Sequence, residues 1–165
     1  MKQYDLIDGI DCSSFCPSTR IKDLQLTNCE DVPTQKGVYL IIRYSLGKPN
    51  FLEKSVGGYY KGLYPSYRKD DVVSNWVDGA RVLYVGKASG KKGLRQRLRQ
   101  FVQFGLGKPV AHRGGRLIWH LKDNQDLTVR WFESGDRDPE EVETTLIKIF
   151  KDVHRGKRPF ANLQK

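Results

Sequence analysis

Val38-Tyr39-Leu40-Ile41-Ile42-Arg43-Tyr44 and Arg81-Val82-Leu83-Tyr84-Val85-Gly86 decide how the fold is read. Both runs are rich in branched and aromatic residues and suit strands, the first entered through Gly37 and the second closed by Gly86 into a basic turn. A third strand reads over 127–133, where Leu, Val and Trp alternate with Thr, Arg and Phe. Two other segments carry helical spacing. Over 94–104, Leu94, Leu98, Phe101 and Val102 share one arc, and Gly105 is a stop signal. The last helix starts at Asp138 as N-cap, with Pro139 at the first position and Glu141 at the third, and stops at Gly156. Its buried stripe is Val142, Leu146, Ile149, Phe150 and Val153. Residues 117–121 are too short and too apolar to divide between strand and helix. The expected fold is α/β of the α+β kind, a small, mainly antiparallel three-stranded sheet flanked by helices.

Outside these elements the chain divides by composition. Residues 1–36 have weak periodicity and end near the turn-like Asp31-Val32-Pro33, so they read as an N-terminal extension packed on the core. Residues 37–165 read as one domain. Within it, 45–79 shifts to Gly, Pro, Tyr and Lys, including Gly57-Gly58-Tyr59-Tyr60-Lys61-Gly62, and reads as an ordered insertion between the first two strands.

The whole chain, 165 residues and 19.0 kDa, suffices for one domain with a proper core. Its net charge of +10 points to a polyanionic partner. The excess is localised: residues 1–80 carry ten basic and ten acidic side chains, whereas 81–165 carry nineteen and nine. Residues 81–116 hold ten Lys or Arg and no Asp or Glu, a pattern suited to contacting phosphates. The longest apolar run has five residues, far short of the roughly 20 that span a bilayer. The opening segment is acidic and unlike a secretory signal, so a cytoplasmic setting is expected. Cys12, Cys16 and Cys29 lack a metal-binding pattern and read as reduced thiols.

Two polar residues fall where apolar ones belong. Arg97 sits inside the apolar arc of its helix, either snorkelling with its stem over the core or serving a purpose there. Glu143 lies at the edge of the last helix's buried stripe and needs an ion pair, a hydrogen-bond network or a metal. Glu140 and Glu141 are accounted for by the helix dipole.

Gly37-Val38-Tyr39, Tyr84-Val85-Gly86 followed by Lys87-Ala88, Leu94-Arg95-Gln96-Arg97-Leu98, Glu143-Thr144-Thr145-Leu146-Ile147-Lys148 and Pro159-Phe160-Ala161-Asn162 occur in this order. In these pieces the chain resembles the GIY-YIG nuclease family. The Lys-Ala after the second tripeptide, the Arg-bearing helix and the Glu are similar to the nuclease domain of the bacterial excision-repair endonuclease. The stretch 108–116 is reminiscent of small stand-alone members. One departure is the spacing of 45 residues between Tyr39 and Tyr84, against about a dozen in the family, which places residues 45–79 at the tip of the hairpin.

The resemblance implies a metal-dependent endonuclease that hydrolyses DNA to 5′-phosphate and 3′-hydroxyl ends. It implies Tyr39 as general base, Tyr84 sharing the water or the phosphate, and Asn162 holding the site together or touching the phosphate. Arg97 offers a planar donor fork to the phosphate, and Glu143 a hard oxygen ligand to one Mg²⁺ or Mn²⁺. Lys87 would help to stabilise a phenolate. Lys91, Lys92, Arg95, Arg99, Arg113 and Arg116 would hold the nucleic-acid backbone, and His112 would either touch it or stand as an ordinary loop histidine. His120 and His154 read as structural. Without the ordered pieces, Tyr39 and Tyr84 would be ordinary strand aromatics. The alternative function is a module that keeps the fold and binds DNA or RNA without cutting it. A homodimer would place two such sites for cleavage of both strands.

Overall fold

All six residues of Gly37–Ile42 are buried, which requires cover on both faces of the sheet that contains them. In the computed structural model, which describes residues 6–15, 18–58, 67–110 and 114–164, that cover is helical on both sides. The strands are Leu6–Ile7 (β1), Ile10–Asp11 (β2), Ser18–Arg20 (β3), Gly37–Ile42 (β4), Val82–Ala88 (β5) and Thr128–Glu133 (β6). The α-helices are Ile21–Thr27 (α1), Lys69–Ser74 (α2), Gly93–Gly105 (α3) and Pro139–Val153 (α4), and 3₁₀ turns occupy Arg116–His120 and Asn124–Asp126. The class is α+β. The main sheet is antiparallel with order β3-β6-β4-β5, and β1 and β2 form a separate small hairpin.

Three strands were expected in the main sheet and four are found. The fourth is β3, from the N-terminal extension, which pairs along β6 from Ser18 opposite Arg130 to Arg20 opposite Thr128. Residues 1–36 thus do more than pack on the core: they complete one edge of the sheet. The second strand continues past Gly86 to Ala88, because Gly37 and Val38 pair with Ala88 and Lys87.

Alternation sorts the side chains between two layers. Tyr39, Ile41, Tyr84, Ala88, Val129 and Trp131 join Leu94, Leu98 and Phe101 of α3 in one core cluster. Val38, Leu40, Ile42, Val82 and Val85 join Val142, Leu146, Ile147 and Phe150 of α4 in the other. Asp138 caps α4 by accepting from the Glu140 N–H at 3.0 Å, with Pro139 in its first turn. The expected buried stripe is shifted at its end, where Ile147 is buried and Val153 is 52% exposed.

Two glycines explain why the sheet fits together. A Cβ on Gly37 would sit 2.1 Å from the Phe132 carbonyl oxygen of β6. On Gly86, opposite Tyr39 in the β4–β5 ladder, it would sit 2.3 Å from the Tyr39 ring. Tyr39 is fully buried and packs its ring beside Phe101 of α3, so it has nowhere to retreat. Gly86→Ala is therefore expected to destabilise the fold by about 1–3 kcal/mol through overpacking, read as a lower urea midpoint. A wild-type midpoint would contradict this account of the glycine.

Candidate active site

The order β3-β6-β4-β5 leaves β5 at an edge of the sheet, and alternation sends its side chains to opposite faces. Tyr84 points toward α3, and Lys87 toward α4, where its Nζ lies 3.3 Å from Glu140 Oε1. At an edge, groups from both faces can reach one space. A cleft of about 520 Å³ opens there, lined by Tyr84 and Lys87 of β5, Arg97 of α3, Glu140 and Glu143 of α4, and Asn162 of the C-terminal segment. Gly114, Gly115, Tyr67, Ala161, Leu163 and Gln164 line the rest of its wall. Tyr84, Arg97, Glu143, Asn162 and Lys87, all expected from the sequence, thus meet in one place.

Each is held by a separate device. The Asn162 side chain accepts from the Val85 N–H and donates to the Val85 carbonyl, both at 2.9 Å, and the Ala161 N–H donates to the Leu83 carbonyl at 2.8 Å. The C-terminal segment thereby covers the open edge of β5. Asn162 lies on the cleft wall, and its amide is committed to this backbone. Arg97 is half-buried on α3. Gly114 lets its own backbone lie against the site: a Cβ there would be 2.2 Å from the Tyr84 hydroxyl and 3.5 Å from Arg97 Nη2. Glu143 is 8% exposed on the buried face of α4.

The two tyrosines are not equivalent. Their ring centroids are 5.9 Å apart, but Tyr39 is wholly buried and does not line the cleft, whereas Tyr84 is 7% exposed and does. The expectation that Tyr39 meets an attacking water is not matched by this geometry, because the ring is fully buried, packed over Gly86 and tilted against Tyr84. Tyr39 interacts electrostatically with the Tyr84 hydroxyl and the Arg97 guanidinium, but no well-aligned hydrogen bond reaches its oxygen among the described residues. Burial pushes the Tyr39 phenol up, against the pull of Arg97. Burial also pushes Tyr84 well up, reinforced by Tyr39 and opposed by Arg97. The cations expected to favour a phenolate are outweighed by desolvation.

The expected nucleic-acid contacts divide four ways. Lys91 and Lys92 are exposed ahead of α3. Arg95 and Arg99 are partly committed inside the protein, donating from Nε to the Val32 carbonyl at 2.7 Å and the Asn28 carbonyl at 2.9 Å. They tie the N-terminal segment to α3. Arg116 is a correction: it is 6% exposed and its guanidinium stacks 5.0 Å from the Phe104 ring centroid, so it does not face a backbone in solvent. His112 and Arg113 lie outside the described residues. His120 is fully buried, accepts from the Tyr67 N–H at 3.0 Å, and burial lowers its pKa. His154 meets Asp8 at 2.9 Å, and Asp8 also accepts from the Arg81 and Val82 N–H groups, tying the β1–β2 hairpin to α4 and β5. Cys12 and Cys29 are buried free thiols, pushed by burial up to about 11 and about 12.

Glu140 was missed. Its place in the first turn of a helix accounts for a carboxylate there, which masked a second signal: it precedes Glu143 by three residues, so both share one side of α4. The Gly114-Gly115 pair was a further signal, since adjacent glycines mark a close approach of backbone to another group.

No family model, curated protein or solved structure matches the chain. No helix among the described residues is long and apolar enough to cross a membrane.

Because burial raises both phenols, they stay protonated in the folded state at the pH of about 10 where free tyrosine ionises. Unfolded, they release their protons there, so stability contributed below pH about 10 is lost progressively as pH rises from that value toward the folded values. In a spectrophotometric titration of folded protein, Tyr39→Phe/Tyr84→Phe is expected to show as many phenols ionising near pH 10 as wild type. A variant count lower by two would overturn the assignment.

Proposed function

We propose that the chain is a metal-dependent endonuclease that hydrolyses DNA phosphodiester bonds, leaving 5′-phosphate and 3′-hydroxyl ends as its resemblance to the GIY-YIG nucleases implies. One observation carries the reading: Tyr84, Lys87, Arg97 and Glu143, from three different elements, line a single cleft. Phosphodiester hydrolysis needs an oriented water, a donor for the nonbridging oxygens and relief for the departing oxygen, and these are groups of those kinds.

In this mechanism the Arg97 guanidinium grips the nonbridging oxygens with two parallel donors, which a lysine could not do. Lys87, partly exposed and paired with Glu140, adds a second positive charge on the same wall. Tyr84 takes the part expected of Tyr39. Its hydroxyl is the phenol at the cleft, positioned to orient the water, while Tyr39 packs against its ring and stays out of contact with substrate. An ordinary phenol is already neutral at pH 7 and burial raises Tyr84 further, so its contribution is hydrogen bonding to the water, whose proton passes to bulk solvent in the open cleft as it attacks.

Glu143 fits the single divalent ion that the resemblance implies. It offers a hard carboxylate donor on the wall of a cleft roomy enough for an ion that keeps most of its waters. Among the described residues no three His, Cys, Asp or Glu side chains gather into a group that could hold a metal ion, so the ion rests on the resemblance. When bound, Mg²⁺ or Mn²⁺ would supply charge neutralisation at the phosphate and the leaving oxygen.

Nicking of supercoiled plasmid with Mg²⁺ tests this reading. Arg97→Ala and Glu143→Ala are each expected to lower the rate by about 10²–10³-fold, EDTA to abolish it, and Tyr84→Phe to cost far more than Tyr39→Phe. Equal nicking by wild type and Glu143→Ala would defeat the site assignment. Should wild type bind DNA or RNA and cut neither, the chain would be a non-cleaving nucleic-acid-binding module.

A further inference from the structure

Beside the main cleft is a second hollow of about 310 Å³, and the two share Lys87 and Arg97. Its floor is the loop after β5, with Ala88, Ser89 and Gly90, and its wall is one face of α3, with Gly93, Gln96 and Gln100. Positions 93, 96, 97 and 100 follow the three- and four-residue spacing of a single helix face, with Gln96 and Gln100 one turn apart and Arg97 flanking them on the side of the apolar arc. Gln96 is exposed and Gln100 half-buried. The lining holds amides, a hydroxyl and two cations, and no carboxylate. Its volume is at the lower end of the range that encloses small ligands, about 300 Å³.

The charge distribution gives a substrate strand one favourable way out of the main cleft. On the α4 side stand Glu140 and Glu143, and a polyanion leaving there would pass two carboxylates. On the α3 side it would pass Arg97 and enter the hollow, which Lys87, paired with Glu140, also borders, with exposed Lys91 and Lys92 nearby in sequence. Residues 81–116 hold no acidic side chain at all.

We infer that this hollow is a nucleotide subsite: the DNA strand crosses Arg97, and the nucleotide next to the scissile phosphate lies in the hollow against Gln96 and Gln100. Each glutamine presents a carboxamide with both donor and acceptor, the group that pairs with base edges, whereas the cations contact phosphate without reading sequence. The sequence pattern hides this role, because glutamine on an exposed helix face is an ordinary solubilising residue. The inference rests on the nucleic-acid reading of the adjoining cleft.

The test pairs binding with two substrates of different size. Gln96→Ala/Gln100→Ala places good helix formers on a polar face and is expected to fold as wild type. Binding is measured by fluorescence anisotropy with a labelled DNA oligonucleotide of about twelve nucleotides, within the span of single-stranded sites. Hydrolysis is followed on the same oligonucleotide and on bis(p-nitrophenyl) phosphate, a diester with no flanking nucleotide. The double variant is expected to bind the oligonucleotide about tenfold more weakly and to raise its KM, with the rate on the small diester unchanged. Gln96→Glu/Gln100→Glu should weaken oligonucleotide binding further, since it puts carboxylates in the path of the strand. Arg97→Ala, by contrast, should lose both substrates.

Wild-type oligonucleotide binding and cleavage by both double variants would overturn the subsite. If wild type hydrolyses neither substrate but binds the oligonucleotide, and the double variants bind it less well, the nuclease reading falls and the subsite stands. If wild type binds no DNA, both fall.

Discussion

The two hydrogen bonds between the Asn162 side chain and the Val85 backbone are the constraint on which the candidate site depends. An edge strand presents unpaired N–H and C=O groups that must be satisfied or covered. Here one residue satisfies both groups of Val85, and Ala161 meets Leu83 two residues earlier. Covering the edge in this way draws the C-terminal segment across β5 and makes it a wall of the cleft. Had β5 been central, a strand on its far side would have filled the space where the faces of α3 and α4 now meet.

Packing inside the sheet sets the rest. Gly86 lacks a side chain, so the Tyr39 ring can lie over β5 and fill the layer against α3. That places Tyr84 as its diagonal neighbour and leaves Tyr84, rather than Tyr39, at the cleft. Gly114, lacking a side chain, allows its backbone to approach the Tyr84 hydroxyl and Arg97. The phenols are consequently desolvated enough to remain neutral beside a guanidinium. Cation and carboxylate occupy opposite walls, Arg97 on α3 and Glu143 on α4, separated by the edge of one strand.

Positive charge is less uniformly available than the composition suggests. Arg116 is buried against Phe104, and Arg95 and Arg99 secure carbonyls of the N-terminal segment. Lys91 and Lys92 remain exposed, while Lys87 and Arg97 stand at the junction of the cleft and its neighbouring hollow. A guanidinium can serve a structural carbonyl as readily as a phosphate, because both accept the same N–H donors.

Local pattern determined much of this protein. The periodicity of 38–44, 81–86, 94–104, 127–133 and the capped helix from Asp138 each reports a one-dimensional property, the spacing of apolar groups or the chemistry of a helix end, and each corresponds to an element found. The inward placement of Arg97 and Glu143 was legible for the same reason. Tertiary structure alone decided the fourth strand, since three residues of β3 carry too little pattern to be recognised without β6 beside them. It also decided the division of labour between the tyrosines. Both occupy the same kind of position in sequence, and only the layer packed above Tyr39 and the edge beside Tyr84 make one a core residue and the other a cleft residue. Whether an arginine meets solvent, a carbonyl or an aromatic ring depends on contacts between segments far apart in the chain, which spacing within any one segment does not encode.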